Sequence, residues 1–255
     1  MTARLDSAVI DQQLAHRSVR KYLDEPVTDA QIERVVTAAQ RASTSSNLQV
    51  WSVIVVRDPE TKSRLAEALG GLPYVAAAPV FLVWIADHAR NAAILRDRGA
   101  DTDTLRLIEN TLIGAIDVGI AAQNALLAAE SLGLGGVFVG GIRNNPAAVA
   151  AELRLPPHTF AMAGMCLGVP DPSEGTGVKP RLPLDAVLHR ETYDPERWRS
   201  ATAAYEGDYE AYFAGQGHPG RSWVRTLIGR LGSIAGLHGR HTMRESLRAQ
   251  GFDSE

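Results

Sequence analysis

Two clusters of cationic side chains are the residues of this sequence whose types and spacing best suit chemistry. Residues 16–20, HRSVR, place two guanidinium groups, an imidazole and a hydroxyl within five positions. Residues 179–181, KPR, hold two cations on a turn that proline stiffens by fixing its φ. Guanidinium groups bind phosphate and carbonyl oxygens in bidentate geometry, so both clusters suit an anionic, carbonyl-rich ligand. Taken alone, each cluster is also typical of a solvated surface.

A pair of glycines adds a third feature. Gly140 and Gly141 end an apolar run, GGVFVGG, that is typical of a strand. Glycine lets a flat ligand approach the backbone closely, although a strand that ends in two glycines is also typical of a simple turn.

Other chemistries find little support in the sequence. It contains no G-x-S-x-G, H-E-x-x-H or C-x-x-C motif, and His238 and His241 are typical of a solvated surface rather than a metal site. The glycines at 133–136 precede a strand, and Phe138 stands where a dinucleotide fingerprint needs a small residue. The single cysteine, Cys166, lies in an apolar segment and is interpreted as a buried hydrophobe. We therefore predict neither a side-chain nucleophile nor a metal ligand set.

The composition indicates a soluble globular protein. The 255 residues are 45% hydrophobic and 22% charged, with a net charge of −3, which argues against a nucleic-acid partner. The N-terminal residues carry charges throughout, which is not typical of a secretory signal. The most apolar stretch, residues 118–129, is shorter than the ~20 residues that span a bilayer, and Asp117 and Glu130 close it on either side. We expect a cytoplasmic protein with no membrane partner.

Hydrophobic periodicity predicts alternating helices and strands, hence an α/β or α+β fold. The expected strands are 51–56, 80–86, 135–141 and 161–168, and the expected helices are 5–14, 28–42, 59–69, 104–132 and 145–153. A capping box at Thr28 and Gln31 opens the second helix. The longest helix is apolar on nearly every side, which places it in the core, and residues 87–103 are expected to be irregular.

The chain changes character near residue 195. Residues 216–250 carry six arginines and one acidic residue, a charge of +5 against −8 for the remainder. We therefore predict a main domain over 1–194 and a C-terminal arm over 195–255, packed on that domain or on a partner subunit.

Several blocks of sequence together resemble the FMN-dependent nitroreductase family, in particular its oxygen-insensitive NADPH nitroreductase and flavin reductase group. The blocks are HRSVRKYLDEPVTDAQIE, STSSNLQ, TLIGAIDVGIAAQNALLAAESLGLGGVFVGGIRNN, and LGVPDP followed by VKPRLP. They keep the family's order and spacing over residues 12–192. The resemblance implies a three-layer α+β fold with a mixed, mainly antiparallel sheet, in an intertwined homodimer with FMN at its interface.

The resemblance also implies a set of ligand contacts. Arg20 would lie near the flavin ring as an electrostatic stabiliser, and Leu72 stands where relatives carry glutamine, so one polar contact is expected to be missing. Ser46 and Asn47, with Arg221 and Arg225 of the arm, would contact the substrates. The remaining implied FMN contacts are His16, Arg17, Ser18, Thr44, Ser45, Gln49, Tyr74, Val139, Gly140, Gly141, Lys179 and Arg181.

The implied reaction is hydride transfer from NAD(P)H, through flavin N5, to nitroaromatic or quinone acceptors by a ping-pong mechanism. The flavin performs the redox step, and a fixed cation stabilises the negative charge that develops on its ring. Three alternatives stay open: a flavin reductase that supplies a monooxygenase, a non-catalytic flavin-binding module, and a dehalogenase on the same fold. The basic arm fits recognition of the NADPH phosphate and a solvated or partner-wrapping segment about equally well, so the choice between NADPH and NADH is open.

Overall fold

An antiparallel sheet organises the larger of two compact units in the computed structural model, which describes residues 6–252. The larger unit contains the described residues up to Glu174 and the segment from Gly239 onward, and the smaller unit is Gly175–His238. The four strands of the larger unit are β1 (Trp51–Val56), β2 (Val80–Asp87), β3 (Gly135–Val139) and β4 (Thr159–Gly168). Its helices are α1 (Ala8–Leu14), α2 (Asp29–Ala39), α3 (Pro59–Ala68), α4 (Pro73–Ala77), α5 (Ala89–Asp97), α6 (Ile108–Ser131), α7 (Pro146–Glu152) and, after the smaller unit, α11 (Met243–Ala249).

The strand order is β1-β2-β4-β3, and every pair of neighbours is antiparallel. Within residues 6–252, the expected parallel pairing is an isolated bridge between Ser18 and Gly136. Further along the same segment, Tyr22 forms an antiparallel bridge with Pro170. The N-terminal segment therefore lies along the β3 side of the sheet.

Helices cover both faces of the sheet because β2 is apolar on both faces. Val80, Leu82 and Trp84 join a buried cluster with residues of α2 and α6. Phe81, Val83 and Ile85 alternate with them and join a second cluster with residues of α3, α4 and α7. Side chains alternate between the faces of a strand, and each large apolar side chain gains about 1.5–3 kcal/mol on burial. The result is the three-layer arrangement that was expected.

The long helix α6 is buried on one side only. Ala121, Ala122 and Ala125 are fully buried against the core, whereas Ile116 on another face is 58% exposed. The helix therefore lies in the core, as its composition predicts, but only one of its faces is buried within one chain. Among residues 6–252, α6 alone is long and apolar enough to cross a membrane by length and composition, but it packs here as a core helix.

Several element boundaries differ from the sequence prediction. The segment predicted to be irregular contains α5, which the sequence signals weakly because Ala92 is its only buried residue. The third strand ends at Val139, and a 3-10 turn follows over Gly140–Arg143. The predicted helix 104–132 is divided between α6 and a 3-10 turn over Asp103–Arg106. Helix α1 begins at Ala8, and Leu5, where the helix was expected to begin, lies outside the described residues.

The predicted capping box at α2 is confirmed. The Thr28 hydroxyl accepts a hydrogen bond from the Gln31 backbone at 3.2 Å, and the Gln31 side chain accepts one from the Thr28 backbone at 2.9 Å. The pair supplies acceptors for two amides at the start of the helix.

The smaller unit contains α8 (Leu184–Val187), α9 (Trp198–Gly215) and α10 (Trp223–Leu231). Its centre is aromatic: the Tyr205 ring meets the Trp223 ring edge-on, with 5.3 Å between centroids. Two tyrosine hydroxyls of α9 hold the preceding extended segment, since Tyr205 donates to Pro180 O at 3.2 Å and Tyr212 to Gly177 O at 3.0 Å.

The segment that follows α11 returns to the core of the larger unit. Phe252 is 1% exposed and meets the rings of His88 and Phe160 edge-on, at 5.7 Å and 6.4 Å between centroids. Burial lowers the pKa of His88, so this ring is neutral where it contacts Phe252.

Replacing Phe252 with alanine should destabilise the larger unit by about 3–5 kcal/mol, because it leaves a cavity in a packed core. Denaturant unfolding measures this change. Phe252→Leu retains most of the apolar contact and should cost clearly less. Equal stability of Phe252→Ala and the unsubstituted protein would contradict this packing.

Candidate functional site

The HRSVR segment lies against the edge of the sheet because one of its residues is a core residue. Val19 is 2% exposed, and its backbone N–H donates to Gly136 O at 3.0 Å. A Cβ on Gly135 would lie 2.7 Å from the Val19 side chain, so this close approach requires glycine. Because neighbouring side chains of an extended segment point in opposite directions, burial of Val19 turns Ser18 and Arg20 away from the core.

Arg20 is held at both its backbone and its side chain. Its backbone N–H lies 3.0 Å and 3.2 Å from the two carboxylate oxygens of Glu174. Its guanidinium carbon lies 5.9 Å from the centroid of the Tyr74 ring, within the range of a cation–π contact. The predicted ligand contacts Arg20 and Tyr74 are therefore neighbours in the fold. Sequence reasoning missed Glu174, which is distant in the chain and belongs to no motif.

His16 is oriented by a carboxylate. Its Nδ1 lies 2.5 Å from Glu130 Oε1, near the C-terminal end of α6. This contact fixes the orientation of the ring and leaves Nε2 as the nitrogen that could contact a ligand.

The two glycines after β3 have different surroundings. A Cβ on Gly140 would have the guanidinium nitrogens of Arg143 and Arg240 as its nearest neighbours, at 3.6 Å and 3.8 Å. A Cβ on Gly141 would lie 3.0 Å from Leu72 Cδ1, so packing alone explains that glycine. Arg240 Nε donates to Asn144 Oδ1 at 2.8 Å. Arg143 and Arg240 extend the cationic surroundings of the site, and the sequence prediction did not include them.

The loop over residues 44–49 holds the second group of predicted contacts in a strained backbone. Ser46, Asn47 and Gln49 have φ values of 47°, 56° and 52°, in the left-handed region that favours glycine. Such residues cost about 1–3 kcal/mol each and persist where the surroundings hold them. Here Thr44 Oγ1 donates to Asp117, and the Ser45 N–H donates to Asp117 Oδ1 at 3.0 Å.

The two groups of predicted contacts are attached to different parts of α6. His16 is bound to Glu130, whereas Thr44 and Ser45 are bound to Asp117, 13 positions earlier. At 1.5 Å per residue, the two attachment points are about 20 Å apart along the helix. The structure thus joins residues 16–20 to Tyr74 and to Gly136 of β3, and it holds the 44–49 loop against a different part of α6.

The predicted contacts beyond residue 175 lie in the smaller unit. Lys179 is half-buried and Arg181 is exposed, with Arg181 Nη1 lying 3.3 Å from Lys179 O. Arg225 Nη2 donates to Gly220 O at 2.5 Å, and the Arg221 guanidinium carbon lies 5.1 Å from the Phe213 ring centroid. Both arginines are therefore ordered against the residues around the 215–220 turn.

Cys166 is a core residue. It is fully buried, and burial raises the pKa of its thiol to about 12, so the thiol is protonated near neutral pH. Within residues 6–252, His, Cys, Asp and Glu side chains form no group of three or more that could hold a metal ion.

The donors of the larger unit define the ligand they could hold. Arg17, Ser18 and Arg20 supply cationic and hydroxyl donors, the backbone at Gly140 is open to a flat group, and Arg143 and Arg240 lie beside it. This donor set fits FMN, whose ring system is flat and carries carbonyl oxygens and whose phosphate is anionic.

The fold and the site together define a three-layer α+β protein with a cation-lined site for a flat, anionic ligand. The model of the nitroreductase family matches residues 14–169, and the model of that family's C-terminal domain matches residues 179–255. The chain therefore belongs to the nitroreductase family.

Curated relatives carry related names. NADPH-flavin oxidoreductase of Vibrio harveyi is 42% identical over 231 residues, which cover 90% of this chain and 93% of that protein. The oxygen-insensitive NADPH nitroreductase of Salmonella typhimurium is 41% identical over 228 residues, 87% of this chain and 92% of that protein.

Solved structures confirm the expected fold. NfrA2 of B. megaterium matches with a TM-score of 0.92 at 35% identity, covering 98% of this chain and all of that chain (100%). NADPH:FMN oxidoreductase from Vibrio harveyi, complexed with NAD+, matches with a TM-score of 0.84 at 39% identity, covering 97% of this chain and 99% of that chain.

Proposed function

We propose that the protein is an FMN-dependent oxidoreductase that uses NADPH or NADH to reduce nitroaromatic or quinone acceptors in a ping-pong sequence. Bound FMN would supply the redox chemistry by taking hydride at N5 from the coenzyme and passing it to the acceptor. The observation that carries the proposal is the position of the Arg20 guanidinium beside the Tyr74 ring.

In this proposal the protein's own residues bind and orient the flavin and the acceptor. Arg20 faces the edge of the ring where negative charge develops, and a fixed cation there favours reduction. His16, Arg17 and Ser18 bind the flavin from the same segment, and Val139, Gly140 and Gly141 lie along its ring. Lys179 and Arg181 bind the phosphate. Thr44, Ser45 and Gln49 complete the flavin contacts, and Ser46 and Asn47 contact the acceptor. In this proposal residues 1–194 form the FMN domain and 195–255 the arm.

A flavin reductase that supplies reduced FMN to a monooxygenase is the second candidate. It is favoured by the name of the Vibrio harveyi relative, NADPH-flavin oxidoreductase, and it uses the same site. Steady-state rates with free FMN and with a nitroaromatic acceptor distinguish the two functions. A flavin-binding module without catalysis would keep its oxidised absorbance when NADPH or NADH is added without oxygen.

We further propose that the protein is a cytoplasmic homodimer and that each FMN site uses both copies. The two groups of flavin contacts are attached to α6 about 20 Å apart, a spacing that favours contacts supplied by two copies around one flavin. The apolar stripe of α6 supports this assembly, since Leu112, Ile116 and Ile120 are 50%, 58% and 42% exposed. A second copy would cover that stripe and bring its 44–49 loop to the other half of the site.

Replacing Arg20 with alanine should lower FMN affinity and slow flavin reduction by about 10²–10³-fold, as for the loss of one charge-stabilising donor. Absorbance of the bound flavin and anaerobic stopped-flow reduction measure the two effects. Lys21→Ala is the matched control because Lys21 is an exposed neighbour that binds Ser173 and Asp171. Unchanged flavin content and rate in Arg20→Ala would remove Arg20 from the site.

The dimer should persist at micromolar concentration. Obligate homodimer interfaces bury more than roughly 2,000 Å² of accessible surface, and an interface of that size does not dissociate readily. Multi-angle light scattering should give twice the mass of one chain. Ile116→Glu places a charge on the α6 stripe and should weaken both dimerisation and FMN retention. A monomer that retains FMN would contradict the shared site.

Replacing Arg221 with alanine should raise KM for NADPH about 10–100-fold and leave KM for NADH almost unchanged. The lost interaction is a charge-assisted hydrogen bond to the phosphate that only NADPH carries. Arg199→Ala is the control, since Arg199 is an exposed cation of the smaller unit that pairs with Glu196. Equal damage with both coenzymes would make Arg221 structural, and a wild-type preference for NADH would exclude phosphate recognition by the arm.

A further inference from the structure

A single carboxylate on α6 is buried against the strained loop. Asp117 is 1% exposed and lies on the central helix of the fold. A buried carboxylate is costly unless hydrogen-bond donors surround it. The donors here are the Thr44 hydroxyl and the Ser45 backbone N–H, both at the start of the 44–49 loop.

Thr44 extends the effect of Asp117 across the loop. Its hydroxyl donates its only proton to Asp117, which leaves the oxygen free to accept the Gln49 backbone N–H at 3.0 Å. The Thr44 hydroxyl therefore links the two ends of the loop, and the Asp117 carboxylate fixes the orientation of that hydroxyl. Between these ends lie Ser46 and Asn47, both with positive φ.

A second set of donors holds the far side of the loop. From α5, the Arg90 side chain donates to Gln49 O, and Asn91 Nδ2 lies 3.3 Å from Leu48 O. Arg90 and Asn91 donate to backbone carbonyl groups of the loop. Asp117 instead accepts hydrogen bonds from a backbone amide and a hydroxyl of the loop. The carboxylate is thus the acceptor that fixes the residues expected to face the ligand.

We propose that Asp117 is a positioning residue that holds the 44–49 loop in its ligand-contacting conformation before FMN binds. The proposal rests on the proposed function, in which this loop contacts FMN. If the loop is already ordered in the FMN-free protein, the free energy of FMN binding is not reduced by the cost of ordering it. The affinity for FMN is therefore higher, without any contact between Asp117 and the ligand.

The test compares Asp117→Asn, Thr44→Val and the double variant in the full-length protein after removal of FMN. Asparagine keeps the size of the side chain but presents an N–H group where an acceptor is needed, and valine keeps the shape of threonine without its hydroxyl. Titration with FMN, followed by flavin fluorescence, should show each single variant binding roughly 10–100-fold more weakly. The loss in the double variant should be smaller than the sum of the two single losses, because Thr44 and Asp117 share one hydrogen bond.

Asp58→Asn is the matched control. Asp58 also accepts a threonine hydroxyl and a backbone N–H, both from Thr61, but at the start of α3. Its substitution should leave FMN affinity unchanged.

Hydrogen exchange of the FMN-free protein supplies a measurement that does not depend on the ligand. The amides of residues 45–49 should exchange at least tenfold faster in Asp117→Asn, while those of the middle of α6 keep their protection. Faster exchange throughout α6 would show a merely structural role and would overturn the proposal. So would unchanged FMN affinity in both single variants, or additive losses in the double variant. Failure of the unsubstituted protein to bind FMN would instead refute the proposed function, with exchange still deciding whether Asp117 orders the loop.

Discussion

The architecture depends on a strand that has no polar face. All seven residues from Val80 to Ala86 are buried, so neither side of β2 can meet water. Helices must then cover both faces of the sheet, and the two buried clusters are the result. With β2 and β4 in the interior, the edge strands β1 and β3 are left as the places where polar segments can meet the sheet. The cationic segment lies beside β3, and the strained loop directly precedes β1.

Helix α6 connects these two places through carboxylates. Apolar burial fixes the helix against the sheet, and Asp117 and Glu130 each use that fixed position to hold a polar segment. Packing against the sheet fixes the position of the helix, and one carboxylate near its middle and one near its C-terminal end each hold a polar segment by hydrogen bonds. Since the two carboxylates are 13 residues apart, one helix holds two different groups of candidate contacts, and the exposed apolar stripe of α6 is the surface through which two chains would share a site.

The sequence predicted the elements whose signals are local. Strand β1 was placed correctly because Val53, Ile54, Val55 and Val56 form a continuous run, and α2 because its capping box lies within four residues. Helix α5 was missed because a helix that buries one alanine has little periodicity. Strand β4 begins at Thr159, two residues before the predicted start, because pairing with β2 and not composition sets its beginning.

The site residues that the sequence predicted are likewise those whose signals are local. The HRSVR segment was found because its chemistry is concentrated in five residues. Asp117 and Glu130 were noticed only as the charges that bound an apolar stretch, although a buried charge inside a helix is itself a signal that a partner exists. Glu174 and Arg240 could not be found from spacing, because topology and not sequence proximity brings them to Arg20 and Gly140, whereas Arg143 lies in the same turn as Gly140 and was overlooked.

The burial of Phe252 bears on how the chain can be made. The larger unit is discontinuous in sequence: its helices and strands up to Glu174 are synthesised first, then the whole of the smaller unit, and only afterwards the segment that carries α11 and Phe252. Its hydrophobic core therefore stays open until the smaller unit has been synthesised, since the aromatic ring that packs against His88 and Phe160 follows that unit in the chain. A nascent chain with an open core exposes apolar surface, so chaperones have most to protect while the smaller unit is being synthesised.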